Sequence, residues 1–390
     1  MHDQEAAVAT FALDPAVTFL NHGSFGACPV AVLAEQARLR VQLEAQPVRF
    51  FSRELPVLLD RARERLGALV GAEPRTLAWV ANATTGVNTV LSSLAFRAGD
   101  ELLTTNHTYA ACRNALHAIA ARSGAQVVTA AVPFPLRHED EVVEAVLSCV
   151  TPRTRLALLD HVTSPTGLVF PLARLLSELR ARSVRTLVDG AHAPGMLALD
   201  LAALGADYYA GNCHKWLCAP KSVAFLYAPL ERQAELRPLV ISHGATAEVG
   251  ERSRFWLEFD WVGTADPTAA LCVPAAIDAL SALVPGGLKA HYASNRALAL
   301  AARDTLCEAL GGAPPCPDSM LGALAAVPLP EGDAAALHDL LLDQHGIEVP
   351  IVPWSAPPQR LLRISAQHYN HIEQYARLGT VLSALLARGA

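Results

Sequence analysis

The segment GNCHKWLCAP, residues 211–220, sets a lysine in a stretch nearly free of charge. From Tyr208 to Leu230 the only formal cations are Lys215 and Lys221, and the run SVAFLYAP follows as a buried strand. The chain has 31 Lys plus Arg, yet its only lysines are Lys215, Lys221 and Lys289. Arginine therefore serves where charge alone is needed. A lysine beside a core strand is kept for its amine, because a guanidinium stays protonated and is a poor nucleophile. The competing reading of Lys215 is a surface lysine next to a strand.

Four more polar clusters follow apolar runs. ANATTG (81–86) pairs the Thr84 and Thr85 hydroxyls with the N–H groups of an opening helix, a seat for an anion such as phosphate. An ordinary Thr N-cap reads the same way. In NHTYAA (106–111), Tyr109 or His107 would lie over a flat ligand; either could equally be a packing residue. TSPTG (163–167) is a hydroxyl-bearing turn containing Ser164. In DGAHAPG (189–195), Asp189 ends a strongly apolar run and His192 follows three residues on. A buried carboxylate is costly without a cation or strong donor. The plainer alternative is an Asp capping a helix.

These clusters need strands to hold them in register. The runs 76–80, 101–105, 126–132, 155–162, 185–190, 208–211 and 223–228 read as strands, and 86–96, 110–122, 138–148 and 171–182 as the helices between them. Several strands are apolar on both faces, as in a mostly parallel sheet covered by helices. Alternating β and α units predict a doubly wound α/β domain, whose ligands sit beyond the carboxyl ends of the strands. Past about residue 265 the rhythm changes, and strands mix with amphipathic helices. This predicts a large domain over 15–265 and a smaller α+β domain over 266–390, with 12–50 packing partly on the small one.

Composition narrows the function. Of the 390 residues, 52% are hydrophobic and 17% charged, as in a large α/β enzyme. A net charge of −6 and the lack of a basic stripe speak against nucleic-acid binding. MHDQEAAVAT lacks the pattern of a signal peptide, and no apolar run reaches a membrane span. Eight scattered cysteines without a CxxC pair suit reduced thiols in a cytoplasm. The 14 histidines show no ligand spacing, so no metal is expected.

One ligand accounts for all the clusters: a phosphorylated, planar ring with a protonatable nitrogen and an aldehyde. Pyridoxal 5′-phosphate (PLP) has these features. Asp189 would keep the ring nitrogen protonated, and the Lys215 amine would form the Schiff base.

VDGAHAPG followed by NCHKW resembles the class V aminotransferase group of PLP enzymes, and FLNHGSFGACP, HVTSPTG, WVGTADPTA and LLRISAQHYN fit as well. The resemblance spans roughly residues 15–380 and is strongest to isopenicillin N epimerase-like proteins. It implies the PLP-dependent transferase (aspartate aminotransferase-like) fold, with Lys215, Asp189 and His192 as catalytic groups. It also implies Tyr109 over the ring, His192 near the phenolic oxygen, and Thr84, Thr85 and His214 at the phosphate. Ser164 stands in the cofactor loop where the group's cysteine desulfurases carry Asn. Thr264 would reach the phosphate of a partner subunit in a homodimer. Arg363 would grip the α-carboxylate of an amino-acid substrate, with Arg360 next in line, and Asn21 and His22 would line the entrance. VPIVPWSAPPQRLLR holds no Cys, which argues against desulfurase activity. Action at Cα could end in epimerisation, transamination, or C–S lysis of a sulfur-containing amino acid. A PLP-binding regulatory protein without turnover is the remote alternative.

Overall fold

A computed structural model describes residues 10–389. The opening stretch read for a leader lies outside them, apart from Thr10. Helices α1 (Val30–Ala45) and α2 (Leu55–Val70) precede a seven-stranded sheet. Its strands are β1 (Leu77–Val80), β2 (Glu101–Thr105), β3 (Gln126–Ala130), β4 (Thr154–Asp160), β5 (Arg185–Asp189), β6 (Tyr208–Asn212) and β7 (Ala224–Tyr227). The spatial order is β1-β7-β6-β5-β4-β2-β3. Only β7 runs antiparallel to its neighbours β1 and β6; the other pairings are parallel.

Every residue of β2, β6 and β7 is buried. That is the consequence of helices on both faces, and it explains why these strands read as unbroken apolar runs. The connecting helices are α3 (Ala83–Ser93), α4 (Ala110–Ser123), α5 (Glu139–Ser148) and α6 (Leu172–Ala181). Helix α3 starts three residues before the expected position. Asn82 is its N-cap and accepts the Thr85 N–H at 2.8 Å, so Thr84 and Thr85 belong to the first turn. Gly86 lets that turn lie on β6: a Cβ there would stand 2.8 Å from the Ala210 Cβ.

Beyond the sheet, α7 (Val273–Ala282) and the long α8 (Gly287–Ala309) lead to a second sheet. Its strands β8 (Leu324–Leu329), β9 (Ile351–Pro353) and β10 (Arg360–Ser365) are antiparallel, in the order β9-β10-β8. Helices α9 (Ala334–His345) and α10 (Ile372–Leu386) complete this part. The N-terminal segment is stitched to it. Thr18–Phe19 pairs in parallel with Ile347–Glu348, the Ser365 N–H donates to Leu20 O at 3.0 Å, and Gly23 N–H donates to Ser365 Oγ at 2.9 Å. Residues 21–26 are thereby carried to the carboxyl ends of the large sheet's strands. Among the described residues no single helix is long and apolar enough to cross a membrane.

Candidate active site

The carboxyl ends of β4, β5 and β6, the start of α3 and the loop after β2 enclose a cavity of about 240 Å3. Lys215 and His214 enter it from the loop after β6, and Tyr109 from the loop after β2. Asp189 and Asp160 lie between them, at the ends of β5 and β4.

The Lys215 amine is 3.3 Å from His192 Nε2. Burial pulls its pKa down to about 8; Asp189 opposes that shift and Arg363 adds to it. The neutral amine, the form that attacks an aldehyde, therefore becomes well populated near pH 8. The loop carrying Lys215 is braced by Gly26. With φ at +72°, a Cβ there would fall 2.5 Å from His214 O and 2.7 Å from Lys215 O.

Asp189 is buried, with its oxygens engaged: Oδ1 accepts the Ala191 N–H at 3.0 Å and Oδ2 accepts the Cys112 thiol at 3.0 Å. Asp160 is its direct partner across the β4–β5 ladder. Asp160 Oδ1 meets the Tyr109 N–H at 3.4 Å, while among the described residues Oδ2 has no hydrogen-bond partner. The nearby Thr108 hydroxyl lies 2.7 Å from Thr104 Oγ1 and, like the Tyr109 N–H, tempers the pKa of the Asp160 carboxyl. Burial and then the Asp189 charge push the Asp160 carboxyl well above the usual carboxylate range.

At the start of α3, the Ala83 N–H goes to Asn212 Oδ1 at 2.8 Å, the Thr85 N–H to Asn82 Oδ1, and the Gly86 N–H to Asn82 O. The Thr84 N–H is left unclaimed among the described residues. With the Asn212 amide beside it, this is a donor set for an anion at a helix N-terminus, and His214 lines the same part of the cavity. His214 Nδ1 donates to Val223 O at 2.9 Å, which fixes its ring.

Arg363 lies just behind the cavity wall. Its Nη1 donates to Ser164 O at 2.7 Å and to Ser164 Oγ at 3.2 Å, and its Nη2 to Ser24 Oγ at 2.8 Å. Among the described residues its Nε has no partner, and no carboxylate bonds to it. Burial draws its pKa down to about 10, a sign of a cation lacking its counter-ion. Arg360, three residues away, lies on the opposite face of β10 and donates to Pro330 O and Asp333 O.

A nucleophilic amine, a buried carboxylate floor, an anion seat and a counter-ion-seeking guanidinium suit PLP with an amino acid. The comparisons with known proteins agree. The model of the family described as aminotransferase class-V matches residues 29–378. The chain belongs to the class V aminotransferase family. It is 41% identical to the isopenicillin N epimerase of Amycolatopsis lactamdurans over 388 residues, covering 96% of each chain. It is 28% identical to an L-cysteine desulfhydrase of Arabidopsis thaliana, covering 95% of this chain and 88% of that one. In three dimensions it is similar to a C-DES variant with glycine covalently linked to its PLP cofactor. The TM-score is 0.81 at 23% identity, over 96% of this chain and 98% of that one. The chain is thus a PLP-dependent enzyme with the aspartate aminotransferase-like α/β fold.

The structure gathers Thr84, Tyr109, Ser164, Asp189, His192, His214 and Lys215 around one cavity, with Arg363 behind its wall. Other expected residues stand elsewhere. The Thr85 hydroxyl donates to Asn82 Oδ1 at 3.0 Å and serves the helix cap rather than the cavity. His107 is buried against Trp354, with ring centroids 4.5 Å apart, leaving Tyr109 as the aromatic of that loop that lines the cavity. Asn21 and His22 are not at an entrance. Asn21 donates to Glu348 Oε1 at 2.7 Å, and His22 is fully buried between Tyr369 and the Lys215 carbonyl. Ser24 and Phe25 are the residues of that segment that line the cavity. Thr264 is exposed in the loop after Trp261 and does not line this chain's cavity. Sequence reasoning passed over Asp160, Asn82, Asn212 and Ser24. Asp160 was hidden inside an apolar strand, and Ser24 enters only through long-range pairing of the N-terminus.

Proposed function

We propose that this chain is an amino-acid epimerase, inverting Cα of an α-amino acid of the isopenicillin N type. The observation that carries it is Arg363, a buried guanidinium without a carboxylate, one side chain away from the cavity of Lys215. A substrate carboxylate replacing the Ser24 hydroxyl would meet the guanidinium edge and supply the missing charge. The identity to an isopenicillin N epimerase supports the same reading.

Bound PLP supplies an aldehyde for amines and an electron-withdrawing ring that stabilises charge at Cα. Thr84 and Asn212 would hold its phosphate, with His214 beside them, and Asp189 would pair with its ring nitrogen. Lys215, once its amine is free, moves the Cα proton on one side. Tyr109 enters from the loop after β2, with two strands between it and the Lys215 loop, and we assign it the proton on the other face.

The test is incubation with candidate amino acids in deuterated water, followed by NMR. Inversion with deuterium at Cα and no loss of amino acid supports the epimerase. Release of sulfide and an α-keto acid supports the second reading, a C–S lyase, favoured by the similarity to an L-cysteine desulfhydrase. Such a lyase would work without a cysteine nucleophile, since among the described residues no cysteine lines the cavity.

A homodimer forms part of this proposal. Exposed Thr264 and its neighbour Val262, 40% exposed, offer a loop for a partner's site. Sedimentation of the PLP-loaded protein as a monomer at micromolar concentration would reject it. All eight cysteines are free, which supports a reducing, cytoplasmic setting; cell fractionation tests that.

A further inference from the structure

His192 is buried and touches both the reactive amine and the residue next to it in sequence. Its Nε2 is 3.3 Å from Lys215 Nζ, and its Nδ1 is 3.2 Å from the indole nitrogen of Trp216. An indole N–H can only donate, so Nδ1 must carry a lone pair. Burial, reinforced by Lys215, Arg363 and His22 around it, holds the ring well below its ordinary pKa. A neutral imidazole with a lone pair at Nδ1 has its proton on Nε2. Nothing in the ring itself decides this; the two tautomers of a free imidazole differ little.

Trp216 is itself immobilised. It is fully buried, and its ring lies 4.9 Å from that of His22. His22 in turn donates from Nε2 to Lys215 O at 3.1 Å and takes the Tyr369 hydroxyl on Nδ1 at 2.8 Å. The indole cannot swing away without breaking this packing.

We propose that Trp216 is a positioning residue that locks His192 as the Nε2–H tautomer, so that His192 presents a donor, not a lone pair, to Lys215 and to the phenolic oxygen of PLP. The part concerning PLP rests on the cofactor site described above. Toward Lys215, an Nε2–H donor is satisfied by a neutral amine and opposes an ammonium. Toward PLP, a donor at the phenolic oxygen withdraws charge from the chromophore and lowers the pH at which its visible band titrates.

Two measurements test this. The first is the ring 15N pattern of histidine-labelled wild-type protein, with the His192 signal identified by its loss in His192→Gln. A protonated Nε2 and an unprotonated Nδ1 are expected; the reverse pattern overturns the proposal. The second is the pH midpoint of the visible band in a double-mutant cycle. Trp216→Phe should raise it by about one pH unit. In a His192→Gln background the same change should do nothing, because the Gln amide needs no tautomer. An unchanged midpoint in Trp216→Phe, or an equal shift without His192, overturns the proposal. If wild-type protein gains no visible band from PLP, the cofactor site is wrong, while the nitrogen pattern still decides the tautomer.

Discussion

Asp160 and Asp189 stand side by side at the carboxyl ends of two parallel strands, and only Asp189 has both oxygens engaged. Two buried carboxylates this close resist ionising together. Asp160, with one oxygen left without a partner among the described residues, is the one whose carboxyl is pushed well above the usual range, by burial first and then by Asp189.

The two should therefore respond differently to the same substitution. Asp189→Asn should bind PLP yet lose turnover by roughly 10²–10³-fold, because an amide supplies no charge to the ring nitrogen. Asp160→Asn replaces a carboxyl whose ionisation burial and Asp189 oppose, and should stay within about tenfold of wild type. Steady-state rates of the two variants check this; equal losses would contradict the unequal roles.

Arg363→Leu should raise the substrate concentration required while leaving the cofactor colour intact. Loss of a charge-assisted contact costs on the order of 2–5 kcal/mol. Arg363→Lys should recover only part, since a point charge cannot reproduce the planar fork. Titration of initial rates against substrate separates this from Arg360→Leu, which removes donors from two backbone carbonyls and should lower stability instead.

Tyr109→Phe should separate exchange from inversion. With Lys215 intact, one enantiomer should still take up deuterium at Cα. Transfer to the other face should fall by at least about 10²-fold, the usual contribution of an acid–base group. Chiral chromatography beside proton NMR distinguishes the two. Normal inversion in this variant would move the second acid elsewhere.

Capture of PLP by apoprotein should follow the neutral Lys215 amine. The rate should rise with pH and level off above about 8, the value to which burial lowers the group. An ordinary lysine would keep gaining to about 10.4. Asp189→Asn removes the charge that raises Lys215 and should move the midpoint down; Arg363→Leu should move it up. Stopped-flow absorbance across pH 6–11 reads both shifts.

Much of this site was legible because parallel strands buried on both faces leave apolar runs with polar residues at their ends. Lys215, Asp189, His192 and Thr84 all follow such runs. The same rule concealed Asp160, which closes β4 but reads as part of RLALLDHV; only its pairing with Asp189 reveals a second carboxylate. Asn212 was set just past β6, whereas it is the last strand residue and ties the sheet to α3. The motif at 19–29 was legible but misassigned. Its His22 packs beneath the Lys215 loop, and Ser24 and Phe25 reach the cavity, because strand pairing near residue 347 sets the segment's rotation. Helices α1, α2 and α10 went unmarked, since neither sheet alternation nor a polar cluster announced them.

The most direct test of the account is borohydride reduction of the PLP-loaded protein, followed by peptide mapping. The account predicts a bleached visible band and one pyridoxyl label, on Lys215. A label on Lys221 or Lys289, or no chromophore after PLP is added, would contradict it.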